Sequence, residues 1–281
     1  MALVAFGCKA GMMPLHFWLP DAHANAPSHV SALLSGVVIK MGIYGLVRVG
    51  LLLLPEPPLS WGVLVLMLGV TSAILGVVFA LSQHDLKRLL AYSSIAHAGY
   101  LLLGLIAVGR SHDPAGASAI LFYLAAYTFM NLGAFGVLVL IRNRRPFAYT
   151  LDELAGLGRT MPLTALAMLV FMLSLTGIPP LAGFWGKFFI FSAVVAAHLT
   201  WLAVIAVIMS AVSAFYYLRV VWYMYFREAP ETATAQPELL RAGSGISATT
   251  AVAVLGVLAV GVYPAPVIAA AQGAVRALFR V

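Results

Sequence analysis

Four lysines stand in this chain of 281 residues, and three of them lie where a charge is costly. Lys40 is set in SALLSGVVIKMGIYGLV, eleven residues after His29 and eight before Arg48. At helical rise that is roughly 12–16 Å to either charge, farther than a lysine side chain can reach to escape an apolar layer. Lys187, in GFWGKFFIFSAVV, precedes His198 by eleven residues with no charge between. Lys9 sits in VAFGCKAGMM. An ammonium at a bilayer centre costs about 2.5–3.5 kcal/mol on insertion scales, so three cost on the order of 8–10 kcal/mol. None of the nine acids falls inside an apolar run, which leaves water, backbone carbonyls or another chain as partners. Burial penalises the charged form of an amine. Amines in that position can take up and release protons, and three at similar depth would form a relay in the membrane plane. The plainer alternative is an ammonium that serves assembly alone.

Polar stripes accompany the lysines. Ser93, His97 and Tyr100 fall on one helical face, and Tyr123, Tyr127 and Asn131 are spaced by four. Ser210, Ser213 and Tyr217 repeat the pattern. Such stripes either solvate a water wire or bind helices together, and for the Ser, Tyr and Asn groups binding is the simpler reading. His97 is suited to either task, because a neutral imidazole accepts and donates at once. His16, Asp21 and His23 cluster around WLPDAH. Their spacing is a poor metal set, and they read as interfacial polar residues.

The elements that must position these groups are membrane helices. The chain is 63% hydrophobic and 9% charged, with a mean hydropathy of +1.01. A soluble domain averages about 25% charged residues and needs that polar skin. A soluble enzyme, a disordered tail and a fibrous repeat are therefore excluded. Apolar runs long enough to span a bilayer predict helices over 28–54, 60–82, 87–109, 116–141, 161–197, 199–226 and 246–272, with a partial one at 1–18. The expected fold is all-α and integral to a membrane, with about eight helices. Two of them should be discontinuous, around Gly11–Pro14 and Pro179–Gly186, because proline frees carbonyls that lipid cannot satisfy. Broken helices of this kind line polar cavities in transporters, although a plain proline kink is the common alternative.

The intervening segments read as loops: WLPDAH at 18–23, PEPP at 55–58, SQHD at 82–85, RSHDPAG at 110–116 and RNRRPFAYTLDE at 142–153. The whole of 1–281 reads as a single transmembrane domain, with 227–245 as a polar cytoplasmic loop. Lys87, Arg88, Arg142, Arg144, Arg145, Arg159, Arg227 and Arg241 fall on one side, against Arg48, Arg110, Arg276 and Arg280 on the other. The excess of positive charge places the first set, and the 18–23 loop, in the cytoplasm. That topology accounts for the net charge of +7 without nucleic acid. One cysteine, Cys8, excludes a disulfide framework and a thiolate-held cluster. No metal or cofactor site is expected. The short, lysine-bearing first run lacks the features of a signal peptide and suggests the C-terminal part of a longer protein.

Six strings together resemble a known superfamily: KAGMMPLHFWLPDAH (9–23), APSHVSALLSGVVIKMGIYGLVR (26–48), DLKRLLAYSSIAHAGYLLLG (85–104), FYLAAYTFMNLGAFGV (122–137), LDELAGLGRTMPL (151–163) and SLTGIPPLAGFWGKFFIF (174–191). They are similar to the C-terminal half of the antiporter-like subunits of respiratory NADH–quinone oxidoreductase (complex I). That superfamily also holds subunits of membrane-bound hydrogenases and of multisubunit Na+/H+ antiporters. From residue 85 onward the chain is similar to the N-type subunit of complex I. Residues 9–48 look more like the large membrane subunit of formate hydrogenlyase-type hydrogenases, and the last 55 residues match only in hydropathy.

The resemblance implies helices seven to fourteen of about fourteen. Lys9 would take the position of the proton-carrying lysine on the broken seventh helix, Lys40 that of the relay lysine on the eighth, and Lys187 that of the terminal lysine on the broken twelfth. His97 and Lys87 would belong to the tenth-helix motif in supporting roles. The family's fifth-helix glutamate, which pairs with the lysine at the position of Lys9, has no counterpart in this sequence. The implied function is proton translocation in a complex I-like enzyme of an energy-transducing, bacterial membrane. The partners would be other membrane subunits of such a complex, and redox chemistry would lie on partner subunits, with no flavin, cluster or nicotinamide on this chain. A hydrogenase subunit, a Na+/H+ antiporter subunit and an inactive scaffold are the alternatives.

Overall fold

The computed structural model describes residues 1–49, 59–111, 113–143, 149–228 and 244–279, and these are helical almost throughout. PEPP at 55–58, Arg144, Arg145, Arg241, Arg280 and most of the 227–245 loop lie outside the described residues. In chain order the helices are α1 (Ala2–Lys9), α2 (Trp18–Asn25), α3 (Ser28–Leu33), α4 (Ile39–Arg48), α5 (Leu59–Leu81), α6 (Leu86–Ser111), α7 (Pro114–Arg142), α8 (Leu157–Thr160), α9 (Pro162–Thr176), α10 (Ala182–Ala196), α11 (Thr200–Phe226), α12 (Ser244–Val262) and α13 (Ala265–Phe279). A wide π turn at Leu34–Val38 joins α3 to α4, so that Ser28–Arg48 forms one apolar span. Among the described residues six helices are long and apolar enough to cross a membrane. There are up to seven if the pair Asp152–Thr160 and Pro162–Thr176, bent by 118°, is one span. The protein is an all-α, multi-pass membrane protein.

Local chemistry sets the boundaries. The Asp113 carboxylate caps α7 by accepting from the Ala115 amide at 2.8 Å, and Pro114 fills the first turn, where no amide donor is needed. Pro162 opens α9 in the same way. Gly177 ends it in the left-handed region at φ 96°, a conformation that side chains with a Cβ resist. The amides of Gly177 and Ile178 both fold back onto the Leu173 carbonyl at 3.1 Å. The run read as one helix over 161–197 is therefore two. So is the run at 246–272, which stops at Val262 and restarts at Ala265. There Pro264 lacks an amide donor and restricts the residue before it. The stretch 18–23, expected to be a loop, is helical and forms most of α2.

Packing places α6 innermost. Of its most apolar stretch 89% is buried inside the protein, against 28% for Gly245–Val262. The polar residues of α6 must therefore meet protein rather than lipid. Leu163, Phe226 and Phe17 are among the large apolar side chains left outside, as befits a surface solvated by acyl chains. Polar contacts gather the charged ends. Arg88 pairs with Asp21 at 2.9 Å and Arg227 with Asp152 at 2.8 Å. The backbone around Asp85 pairs with that around Thr150 as a short antiparallel bridge, and the Arg219 guanidinium donates to the Leu81 and Gln83 carbonyls at 3.0 and 2.5 Å. The α2 helix, the start of α6, the segment before α8 and the end of α11 thus share one face of the bundle.

Candidate functional site

The polar centre is built on α6. His97 is 2% exposed, and its ring is held at both nitrogens: Nδ1 lies 2.5 Å from the Tyr123 hydroxyl and Nε2 3.0 Å from the Tyr217 hydroxyl. A neutral imidazole donates at one nitrogen and accepts at the other, so one tyrosine must donate to it while the other accepts. Tyr217 also bonds to Ser93. One helical position on, the Ser94 hydroxyl reaches Tyr127 at 2.8 Å and Ser35 at 2.7 Å, and Ser35 in turn accepts from the Asn131 amide. The three stripes read from the sequence, on α6, α7 and α11, converge here.

Lys40 and Lys187 flank this centre. Lys40, 5% exposed, places Nζ 4.1 Å over the Tyr127 ring and 3.5 Å from the Ser94 carbonyl. The Tyr127 ring lies 5.0 Å from that of His97. Lys187, 4% exposed, donates to the Thr176 carbonyl at 2.7 Å and to the Ser210 hydroxyl at 2.8 Å. Its Nζ is 5.7 Å from the Tyr100 ring, which meets His97 edge-on at 5.8 Å. Each lysine therefore touches an aromatic ring that also touches His97. Ser213 donates to the Ser210 carbonyl at 2.6 Å, extending the second link along α11 toward Tyr217. Among the described residues no carboxylate pairs with either lysine. A carbonyl, a hydroxyl and π faces meet the ammonium instead.

The break between α9 and α10 makes the Lys187 site possible. Thr176 ends α9, so its carbonyl has no amide one turn on and becomes free for the ammonium. A cation there also meets the negative end of the helix dipole. Gly183 lets α10 return closely enough to do this, since a Cβ would collide with the Ser174 carbonyl. Its amide donates to the Ser174 hydroxyl at 3.1 Å.

Lys9 is placed differently from the expectation of deep burial. It is exposed on the surface of the described chain, because α1 packs chiefly against α4 and leaves its other faces open. Lys87, expected near the interface, is buried at 2%. It donates to the Ala26 carbonyl at the end of α2 at 2.8 Å and lies 4.1 Å over the Tyr149 ring. Nor are the residues around WLPDAH all interfacial. Asp21 is exposed, but His16 is 6% and His23 0% exposed. His23 lies outside the six spans, and its pKa is lowered to about 4 by burial first and then by the charges of Lys40 and Lys87. Sequence reasoning read His23 as interfacial and passed over Arg219. The signal for Arg219 was its place seven residues before the end of an apolar run. Among the described residues no group of three or more His, Cys, Asp or Glu is placed to hold a metal.

A multi-pass helical architecture with an enclosed lysine–tyrosine–histidine centre and an interrupted helix defines a class, that of polytopic membrane proteins with ionisable groups held inside the bundle. Residues 1–213 match the family described as NADH:quinone oxidoreductase/Mrp antiporter, transmembrane, and the chain belongs to that family. It is 43% identical over 272 residues to NADH-quinone oxidoreductase subunit N 2 of Roseiflexus castenholzii, covering 95% of this chain and 53% of that protein. An alignment of that length takes in most of the segment past residue 226, where hydropathy alone had been legible. Among solved structures, a chain of respiratory complex I from Thermus thermophilus with bound Aureothin matches at a TM-score of 0.77 and 37% identity, over 95% of this chain and 57% of that one. A chain of the Mrp complex from Dietzia sp. DQ12-45-1b matches at 0.84 and 24% identity, over 99% and 58%, and shares the fold. The chain spans about half the length of the curated relatives it matches.

Proposed function

We propose that this chain carries protons laterally through the membrane between Lys40 and Lys187 by way of His97, as part of a complex I-like NADH–quinone oxidoreductase of a bacterial cell membrane. The observation that carries this reading is the double contact of His97: Tyr127 links it to Lys40, and Tyr100 links it to Lys187. A proton accepted at one ring nitrogen and released from the other crosses the centre without a net charge left behind. Two unit charges about 8 Å apart at an effective dielectric near 20 interact by about 2 kcal/mol, so charging one lysine favours discharge of its neighbour.

Redox chemistry would take place on partner subunits, as the names of the N-type relatives suggest. Lys87 would support the relay from the α2 end. Lys9 would join it only with cover from outside the described residues. In this reading α1 and the α9–α10 pair are discontinuous spans, which brings the crossings to about eight, and the face bearing Arg88 and Arg227 is cytoplasmic.

The test is Lys40→Ala and Lys187→Ala in the full-length, assembled complex in inverted vesicles. Proton uptake per electron should fall in both variants, and unchanged stoichiometry in both would overturn the proposal. A Na+/H+ exchange role, which the structural match to the Mrp complex keeps in view, instead predicts sodium-driven proton movement without an electron donor.

A further inference from the structure

Among the described residues His23 is a fully buried titratable group that the relay leaves unused. It is 0% exposed, yet neither ring nitrogen has a hydrogen-bond partner among the described residues. Leaving a buried polar atom without a partner costs about 1–3 kcal/mol, so native proteins pair such atoms with ordered water where protein offers nothing.

Two more unpartnered polar atoms lie nearby in the fold. One is the Ser28 hydroxyl, 2% exposed, on α3, whose Ser31 hydroxyl donates to the His23 carbonyl at 3.1 Å. The other is Asn131 Oδ1, 0% exposed, on α7. The His23 ring stacks on Phe135 at 5.5 Å, and Asn131 is one helical turn from Phe135 on the same face. Asn131 then bonds to Ser35, Ser35 to Ser94, and Lys40 to the Ser94 carbonyl. At the other end Lys87 holds the Ala26 carbonyl, which closes the helix that carries His23. Unfilled hydrogen-bonding capacity at His23, Ser28 and Asn131 is thus continued to Lys40 by the bonds through Ser35 and Ser94.

We propose that His23 is a proton-carrying residue on an inlet from the Lys87 end to Lys40, working through buried water held by His23, Ser28 and Asn131. This rests on the relay reading and adds to it the route by which Lys40 is refilled. The step is balanced: water on the Lys87 side delivers a proton to one ring nitrogen. The other nitrogen releases its own toward Asn131 and the neutral Lys40 amine, and the ring ends neutral in the opposite tautomer, which a flip of the ring resets. The charges that act on the ring are those of Lys40 from α4 and Lys87 from α6, and Phe135 of α7 stacks on it. Asp21, on the same helix, is paired with Arg88 of α6, and Ser31 of α3 meets the His23 carbonyl. Burial first, and then the ammonium charges of Lys40 and Lys87, oppose a positive charge on the ring, which leaves it neutral with one nitrogen to accept and the other to donate.

The experiment compares His23→Phe, His23→Gln and Lys187→Ala in the full-length assembled complex in inverted vesicles, with proton uptake and electron rate recorded from pH 6 to 9. Glutamine holds water but cannot exchange a ring proton, while phenylalanine removes the polar path. Both variants should assemble and pump at least fivefold slower, with the deficit widening as pH rises and proton supply becomes limiting. A wild-type rate across the range in His23→Gln overturns the inlet, and so does a deficit that does not change with pH. If Lys187→Ala also pumps normally, the relay reading itself has failed.

Discussion

The two helix breaks solve the same problem with different donors. After Thr176 the freed carbonyl is taken by the Lys187 ammonium, which turns inward, buried, between α9 and α11. After Lys9 the chain turns at Gly11, φ 63°, and the Cys8 carbonyl is taken by the Gly11 amide and the Trp18 indole, both at 3.0 Å. Met13 is fastened to α5 through the Ser72 hydroxyl at 2.9 Å. The lysine at this break is released from capping and points to the outside. Proline and glycine create the need for a donor. What the surrounding helices supply decides whether the lysine is committed to meeting it.

The contrast can be broken most sharply at Lys187. Lys187→Ala should reduce proton transfer in the assembled complex to below about a tenth. It should also lower stability by about 1–3 kcal/mol, because Thr176 is left unpaired. Proton uptake and thermal unfolding in detergent check the two parts, and an unchanged melting temperature would remove Lys187 as the cap. Gly183→Ala should cost about 1–3 kcal/mol by thermal unfolding, since the new methyl meets the rigid Ser174 carbonyl. At the other break, Gly11→Ala should cost about 1 kcal/mol, because its clash is with the movable Leu19 side chain and the left-handed φ carries most of the penalty. Trp18→Phe should cost about 0.5–1.5 kcal/mol, as the Cys8 carbonyl keeps the Gly11 amide. Lys9→Leu should leave the unfolding of this chain within about 0.5 kcal/mol of the parent, because the side chain is exposed. A large loss there would place Lys9 inside the same polar centre as Lys187.

Much of the candidate site was legible because hydrocarbon makes polar residues conspicuous. Lys40, Lys187 and His97 stand out in runs where nearly every neighbour is apolar. The spacing of Ser93, His97 and Tyr100 put them on one face before any packing was known. His23 was not legible in the same way. It lies in WLPDAH, whose polar residues suit an exposed loop, and only the packing of α2 against α6, with Phe135 of α7 stacked on the ring, buries it. The break at Pro264 went unread as well, since hydropathy is continuous across it. Proline there acts through backbone geometry, which a hydropathy pattern does not register.

Composition and spacing alone determined that the chain lies in a membrane, that its ammonium groups sit in apolar runs, and that helices stop near Gly11 and Gly177. These follow from transfer energies and backbone limits that act within a single segment. Tertiary structure decided which ammonium groups are enclosed. Lys40 and Lys187 find carbonyls and rings on other helices, while Lys9 finds none among the described residues and remains outside. Enclosure depends on which helices pack together, and residues distant in sequence set that packing.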